Sequence, residues 1–297
     1  MKLKKINVGG QAVIEGVMIR GPLKYTVAVR KRNKQIVVKK GVVAKNKPKI
    51  YKLPLIRGFV NLVEMLIIGT RSLLWSAEQS GEEGEKIGKN ELFYTLLMSI
   101  GAVVIFFVGL PYYLTHLAGF SEEQKPILFN LVDGLIRIIF FLGYIYAISF
   151  MKDVKRLFQY HGAEHKAIHC YEHDKELNVK NVQKFTTLHP SCGTSFLLLV
   201  FIISILAFSI LPSLVTWLSP YFSSYGLWTR KGILFPLRIL FIPIIAGISY
   251  EILKLSDKKK GNFVFKVISF PGLMLQKITT QEPDNKDRKS TRLNSSH

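Results

Sequence analysis

The chain has 297 residues, 48% hydrophobic and 21% charged, with 41 Lys and Arg against 20 Asp and Glu. Its net charge is +21 and its mean hydropathy is positive, at +0.23. That pairing excludes a disordered polycation, disfavours a plain soluble nucleic-acid binder, and points to a membrane protein whose charge is gathered in a few loops. No specific DNA binding is expected.

The first residues, MKLKKINVGGQ, are basic with no apolar run behind them, so no cleavable signal peptide is predicted. The following stretch, NVGGQAVIEGVMIRGP, holds Gly9, Gly10, Gly16 and Gly21 and is too rich in glycine for a stable helix. Tyr25–Arg30 and Gln35–Lys39 alternate with the strand period around Lys31–Lys34. They predict a small β-hairpin or meander inside a basic, glycine-rich segment 1–52.

Leu53–Ala77 reads as an amphipathic helix. Arg57, Asn61, Glu64 and Arg71 form one polar stripe down an otherwise apolar surface. Such a helix lies in the interface or dips into the bilayer; crossing would force the fifteen basic residues before it outside.

Four further stretches meet the requirement of about 20 mostly apolar residues for a membrane span. They are Leu92–Thr115, Ile127–Met151, Ser195–Leu218 and Gly232–Leu255. Fifteen Lys and Arg fall in 1–52, seven in the 152–193 loop and seven in 252–286, whereas 116–126 holds only Lys125 and 219–231 only Arg230 and Lys231. The positive-inside rule then places both termini and the middle loop in the cytoplasm. The expected fold is mainly α: an integral four-helix bundle with the amphipathic helix, the small N-terminal sheet and an interface-hugging tail (256–286). The last eleven residues, Asp287–His297, resemble a translated sequencing adapter; setting them aside lowers the charge to +19. Two cysteines, Cys170 and Cys192, are too few for a disulfide scaffold.

Five histidines lie within the middle loop: His161, His165, His169, His173 and His189. His161-Gly-Ala-Glu164-His165 is an H-x-x-E-H string, which on a helix lets both imidazoles reach one ion with Glu164 beside them as base. Steps of four residues drift by about 40° each, so His169 can still join the group while His173 turns away. Glu172 offers a further carboxylate, and His189-Pro-Ser-Cys192 offers an imidazole and a thiol just before the third span. Catalytic zinc requires three protein ligands and an open position. A solvated polar face is the plainer alternative for any one histidine, but less so for five beside a glutamate and a cysteine. Cys170 points to another helix face and reads as packing.

Asp133, Arg137 and Arg238 fall inside spans, where ionisable groups are usually paired. Asp133 and Arg137 are four apart on one helix, while Asp133 and Arg238 share a similar depth, so either pairing is open. Glu251 lies near the cytoplasmic end of the fourth span and is a distant candidate ligand.

The strings GGQAVIEGVMIRGP, IRGFVNLVEMLIIGTRSLLWSAE, YHGAEHKAIHCYE, HPSCGTSF, LFIPIIAGISYE and PGLMLQKITTQEPD occur together, in order, from about Asn7 to Asp284. In these the chain resembles a bacterial membrane family often labelled a predicted metal-dependent enzyme, the domain of unknown function numbered 1385. The resemblance implies that Gln11, Glu15, Arg20, His161, Glu164, His165, His169, Glu172, His189, Cys192 and Glu251 occupy hallmark positions. His173 is not among them. The label adds little beyond the histidine reading itself.

Two functions follow. The first is a hydrolase at the cytoplasmic membrane face using a divalent metal, zinc by preference. His161 and His165 hold it, His169, Glu172, His189 or Cys192 complete the site, and Glu164 acts as base. The second is a non-enzymatic membrane-protein-biogenesis factor that engages other proteins or a ribosome–translocon assembly through its basic cytoplasmic face. A carrier using the intramembrane charges is the least supported, because no inverted repeat is visible.

Overall fold

In the computed structural model, residues 6, 8–43, 48–81, 89–122, 124–259 and 262–283 are described; the adapter-like tail lies outside them. The N-terminal segment folds into a four-stranded antiparallel meander in the order β1-β2-β3-β4. The strands are β1 (Gly9–Val13), β2 (Gly16–Arg20), β3 (Lys24–Arg30) and β4 (Ile36–Val42). The hairpin of β3 and β4 is the one that the alternation predicts, whereas β1 and β2 occupy the glycine-rich stretch. Gly16 is required there: a Cβ would stand 2.0 Å from the Ala28 carbonyl oxygen on β3.

Helices make up most of the rest. They are α1 (Ile56–Ser80), α2 (Lys89–Val104), α3 (Leu110–Leu117), α4 (Pro126–Ile148), α5 (Lys152–Glu172), α6 (Val179–Val182), α7 (Gly193–Leu218), α8 (Leu227–Lys258) and α9 (Phe263–Thr279). A π-turn over Ile105–Gly109 joins α2 to α3. It falls just before Pro111, which has no N–H for the regular ladder.

Among the described residues five helical stretches, not four, are long and apolar enough to cross a membrane: α1, the α2–α3 rod, α4, α7 and α8. The last four match the predicted spans within a few residues. Their flanks carry exposed Phe93, Met98, Ile105, Leu135, Trp217, Trp228 and Phe235, surface that water would not tolerate and lipid does. The fifth is the amphipathic stretch. In the bundle α4 packs on α7 and α7 on α8. Leu211, Phe222 and Leu234 form a buried core between the last two.

The sheet lies between α1 and α5. Val13, Met18, Val27 and Val29 on one face are fully buried against Met65, Ile68 and Trp75 of α1. Complete burial of each valine contributes roughly 1.5–2 kcal/mol. The other face, with Gly10, turns to Glu164 of α5. The polar stripe of α1 is used in this packing: Arg57 pairs with Glu251, Asn61 donates to the Tyr250 hydroxyl, and Glu64 pairs with Arg20. All of these partners lie on the sheet or in the last third of α8. Helix α9 crosses the same end of the bundle, packing on α7 and α8.

Candidate metal centre

Helix α5 is the frame of the site. It starts with Asp153 in its first turn, where an acid opposes the helix dipole. It is buried almost continuously from Phe158 to Cys170. The sheet holds it from one side. Glu15, which turns the β1–β2 hairpin at φ 51°, accepts hydrogen bonds from Arg156 Nε at 2.8 Å, Arg156 Nη2 at 3.1 Å and the Tyr160 hydroxyl at 3.0 Å. Tyr160 is fully buried beneath it.

On the other side of α5 the four-residue spacing brings histidines into a row. The ring centroids of His161 and His165 are 4.4 Å apart, and those of His169 and His189 are 4.6 Å apart. The six candidate ligands do not meet at one point but divide into two groups. His161, His165 and Cys192 have ligand atoms within 4.8 Å of one another, and so do His169, Glu172 and His189.

The first group is the better prepared for an ion. Nδ1 of His161 donates to the Thr279 carbonyl at 2.8 Å, and Nδ1 of His165 donates to the Thr187 carbonyl. A backbone carbonyl accepts only, so both Nδ1 atoms carry the proton and neither Nε2 does, the tautomer that metal-binding histidines adopt; the His161 Nε2 accepts from the Cys192 thiol. Cys192 caps α7, with its Sγ accepting the Thr194 N–H at 3.4 Å, and it lies 3.3 Å from His161 Nε2. Tetrahedral zinc with ordinary bond lengths would set a nitrogen and a sulfur about 3.6 Å apart, so the donors present fit such an ion. Burial also holds the His165 imidazole below its usual range, which favours the neutral, ligating form.

Glu164 stands beside this group. Its Oε2 is 4.0 Å from His161 Nε2 and 3.9 Å from His165 Nε2. Burial pushes its carboxyl above the usual range, with His161 and His189 pulling it back. A Cβ at Gly10 would lie 2.5 Å from its Oε1, so only glycine leaves room for this carboxylate against β1.

The second group has a different character. His169 donates from Nε2 to the Leu188 carbonyl at 2.8 Å, leaving Nδ1 free 3.9 Å from Glu172. His189, however, accepts the Ser191 N–H on Nδ1 at 3.2 Å, so its Nε2 carries the proton, 3.4 Å from Glu172 Oε2. An ion at that nitrogen would have to displace the proton. His173 is exposed and joins neither group.

The remaining sequence candidates lie elsewhere. Glu251 is held by Arg57, whose Nε donates to it at 2.6 Å, and is not brought to the histidines. Gln11 packs its amide against α1 at Gly69, and Arg20 pairs with Glu64. With Glu15, these residues pin the sheet and α1 in place. At the other end of the bundle, Arg137 Nε donates to Asp133 Oδ2 at 2.8 Å, and Arg238 Nη2 donates to Asn130 Oδ1 at 3.2 Å.

Sequence reasoning missed Gln276. Fully buried on α9, it accepts the His189 N–H at 2.8 Å and donates to the His189 carbonyl at 2.9 Å and to Ser195 Oγ at 2.7 Å. It thereby fixes the turn that delivers Cys192. The available signal was a lone amide in the otherwise apolar stretch PGLMLQ. The carbonyls of Thr187 and Thr279 had no sequence signal at all.

A family profile described as "Protein of unknown function (DUF1385)" matches residues 53–290. The chain is similar to the "Uncharacterized protein YqhQ" of Bacillus subtilis (strain 168), at 34% identity over 293 residues, which cover 93% of this chain and 86% of that protein. No solved structure matches.

Proposed function

The chain belongs to the family of unknown function DUF1385, and from that premise we propose that it is a metal-dependent hydrolase working at the cytoplasmic face of the cell membrane. The observation that carries this reading is the pair of Nδ1–H donations to backbone carbonyls, which leave two Nε2 lone pairs beside a thiol. His161, His165 and Cys192 hold the ion; two imidazoles and a sulfur make zinc the natural occupant. When bound, the ion would supply Lewis acidity and lower the pKa of a coordinated water. Three protein ligands leave the fourth position open, as a catalytic site requires.

Glu164 takes a proton from the attacking water and returns it to the leaving group. Its burial suits this role, because a desolvated carboxylate is a stronger base than a solvated one. Gln276, Glu15 and Gly10 position the group without touching the reacting atoms. In the membrane, the α2–α3 rod, α4, α7 and α8 cross, and both termini are cytoplasmic by the distribution of Lys and Arg. Helix α1 lies along the cytoplasmic interface, since its polar stripe is spent on the sheet and on the cytoplasmic end of α8.

Metal analysis of the protein purified in mild detergent tests the reading. About one zinc per chain is expected; less than about 0.2 of any transition metal would end it. Glu164→Gln should keep the metal and fail to complement a deletion, and complementation by that variant would remove catalysis from the account.

A further inference from the structure

Of the six candidate ligands, five are nearly enclosed. Cys192 is 6% exposed, and the side chains of His161, His165, His169 and His189 are between 3% and 14% exposed. Only the Glu172 side chain is open to solvent, at 36%. It stands at one end of a row of imidazoles. Ring centroids are 4.6 Å apart from His169 to His189, 5.7 Å from His189 to His165 and 4.4 Å from His165 to His161. At the other end lies Cys192, 3.3 Å from His161 Nε2.

The two ends of the row differ in how firmly they can hold an ion. The inner group, His161, His165 and Cys192, offers two imidazoles and a thiol, the softer set that zinc and its neighbours prefer. The outer group offers the Glu172 carboxylate, the lone pair on His169 Nδ1, and His189, whose Nε2 faces Glu172. A hard oxygen in place of sulfur makes it the looser set. No step along the row is too long for a hand-over. With a Zn–N bond of about 2.0 Å and a nitrogen about 1.2 Å from its ring centre, two imidazoles can share an ion up to a centroid separation of about 6.4 Å.

We propose that His169, Glu172 and His189 form a second, transient site for a divalent transition metal, through which the ion reaches His161, His165 and Cys192. Glu172 meets the hydrated ion at the surface, where its charge draws a cation in. His169 and His189 replace the ion's waters, and His165 takes it from His189. This role rests on the ion position proposed above and not on hydrolysis. A residue on such a path sets the rates of loading and release together and leaves the affinity of the resting site where it was, because a path alters neither end state. A ligand of the resting ion changes the affinity instead.

Cobalt(II) mixed rapidly with the metal-free full chain in detergent micelles tests the path, because a cobalt–thiolate charge-transfer band appears only when the ion reaches Cys192. In Glu172→Gln and in His169→Gln the band should rise at least about tenfold more slowly than in the wild type. Its loss to a chelator should slow by the same factor, and the final cobalt affinity should stay within about twofold. His173→Gln, on an exposed neighbour, should change neither rate. Unchanged rates in either variant would overturn the proposal. So would a lower affinity, which would make Glu172 or His169 a ligand of the resting ion. Wild-type protein that binds cobalt without the band, or binds none, sinks the ion position itself; a band whose rise ignores Glu172 and His169 sinks the path alone.

Discussion

Each end of the bundle holds a polar cluster, and the two are built on opposite plans. At the far end, opposite charges pair with one another or with neutral groups: Arg137 with Asp133, Lys231 with the Tyr112 hydroxyl at 2.7 Å and with Glu122 at 3.8 Å, and Arg238 with Asn130, although Asp133 Oδ1 and Arg238 Nε are buried with no hydrogen-bond partner among the described residues. At the histidine end, carbonyls take the Nδ1 protons of His161 and His165, and their Nε2 lone pairs converge beside Cys192. Nitrogen lone pairs and a sulfur face one another without a proton between the two nitrogens. Opposite charges that pair within the bundle act as glue; lone pairs that converge beside a thiol are arranged for a guest.

Substitutions can break that contrast. The largest effect is expected from His165→Ala or Cys192→Ala, either of which should lower zinc affinity at least about 100-fold. Competition with a chromogenic chelator measures it, and His173→Ala should leave it unchanged. Next, Asp133→Ala strands Arg137 within the bundle and should cost about 2–3 kcal/mol of stability. Thermal unfolding in detergent would record the loss, and zinc stoichiometry should not move. Smallest, Glu251→Gln weakens the pairing with Arg57 and should cost about 1 kcal/mol. Unaltered zinc affinity in that variant separates an anchoring residue from a distant ligand.

Much of the fold was legible because its signals are local. Twenty consecutive apolar residues declare a span by themselves, and α7 begins within two residues of the predicted start. The β3–β4 hairpin shows its alternation directly. Strands β1 and β2 hid behind glycines whose purpose is distant: Gly10 makes room for Glu164 and Gly16 for the Ala28 carbonyl. The site divides in the same way. The four-residue spacing of His161, His165 and His169 is a local helical fact and was readable. Their separation into two groups depends on Thr187, Gln276 and Thr279, which loops and α9 bring in from up to 118 residues away. For the same reason the polar stripe of α1 identified its amphipathic face but not Glu251, Tyr250 and Arg20 as the partners that consume it.

X-ray absorption at the zinc edge of the metal-loaded protein addresses the first group of ligands most directly. The expected first shell holds two nitrogens near about 2.0 Å and one sulfur near about 2.3 Å, with one lighter scatterer completing four. A shell without sulfur would move the ion away from Cys192 to the His169–Glu172–His189 group, and a protein that retains no ion at all would leave the converging lone pairs without a guest.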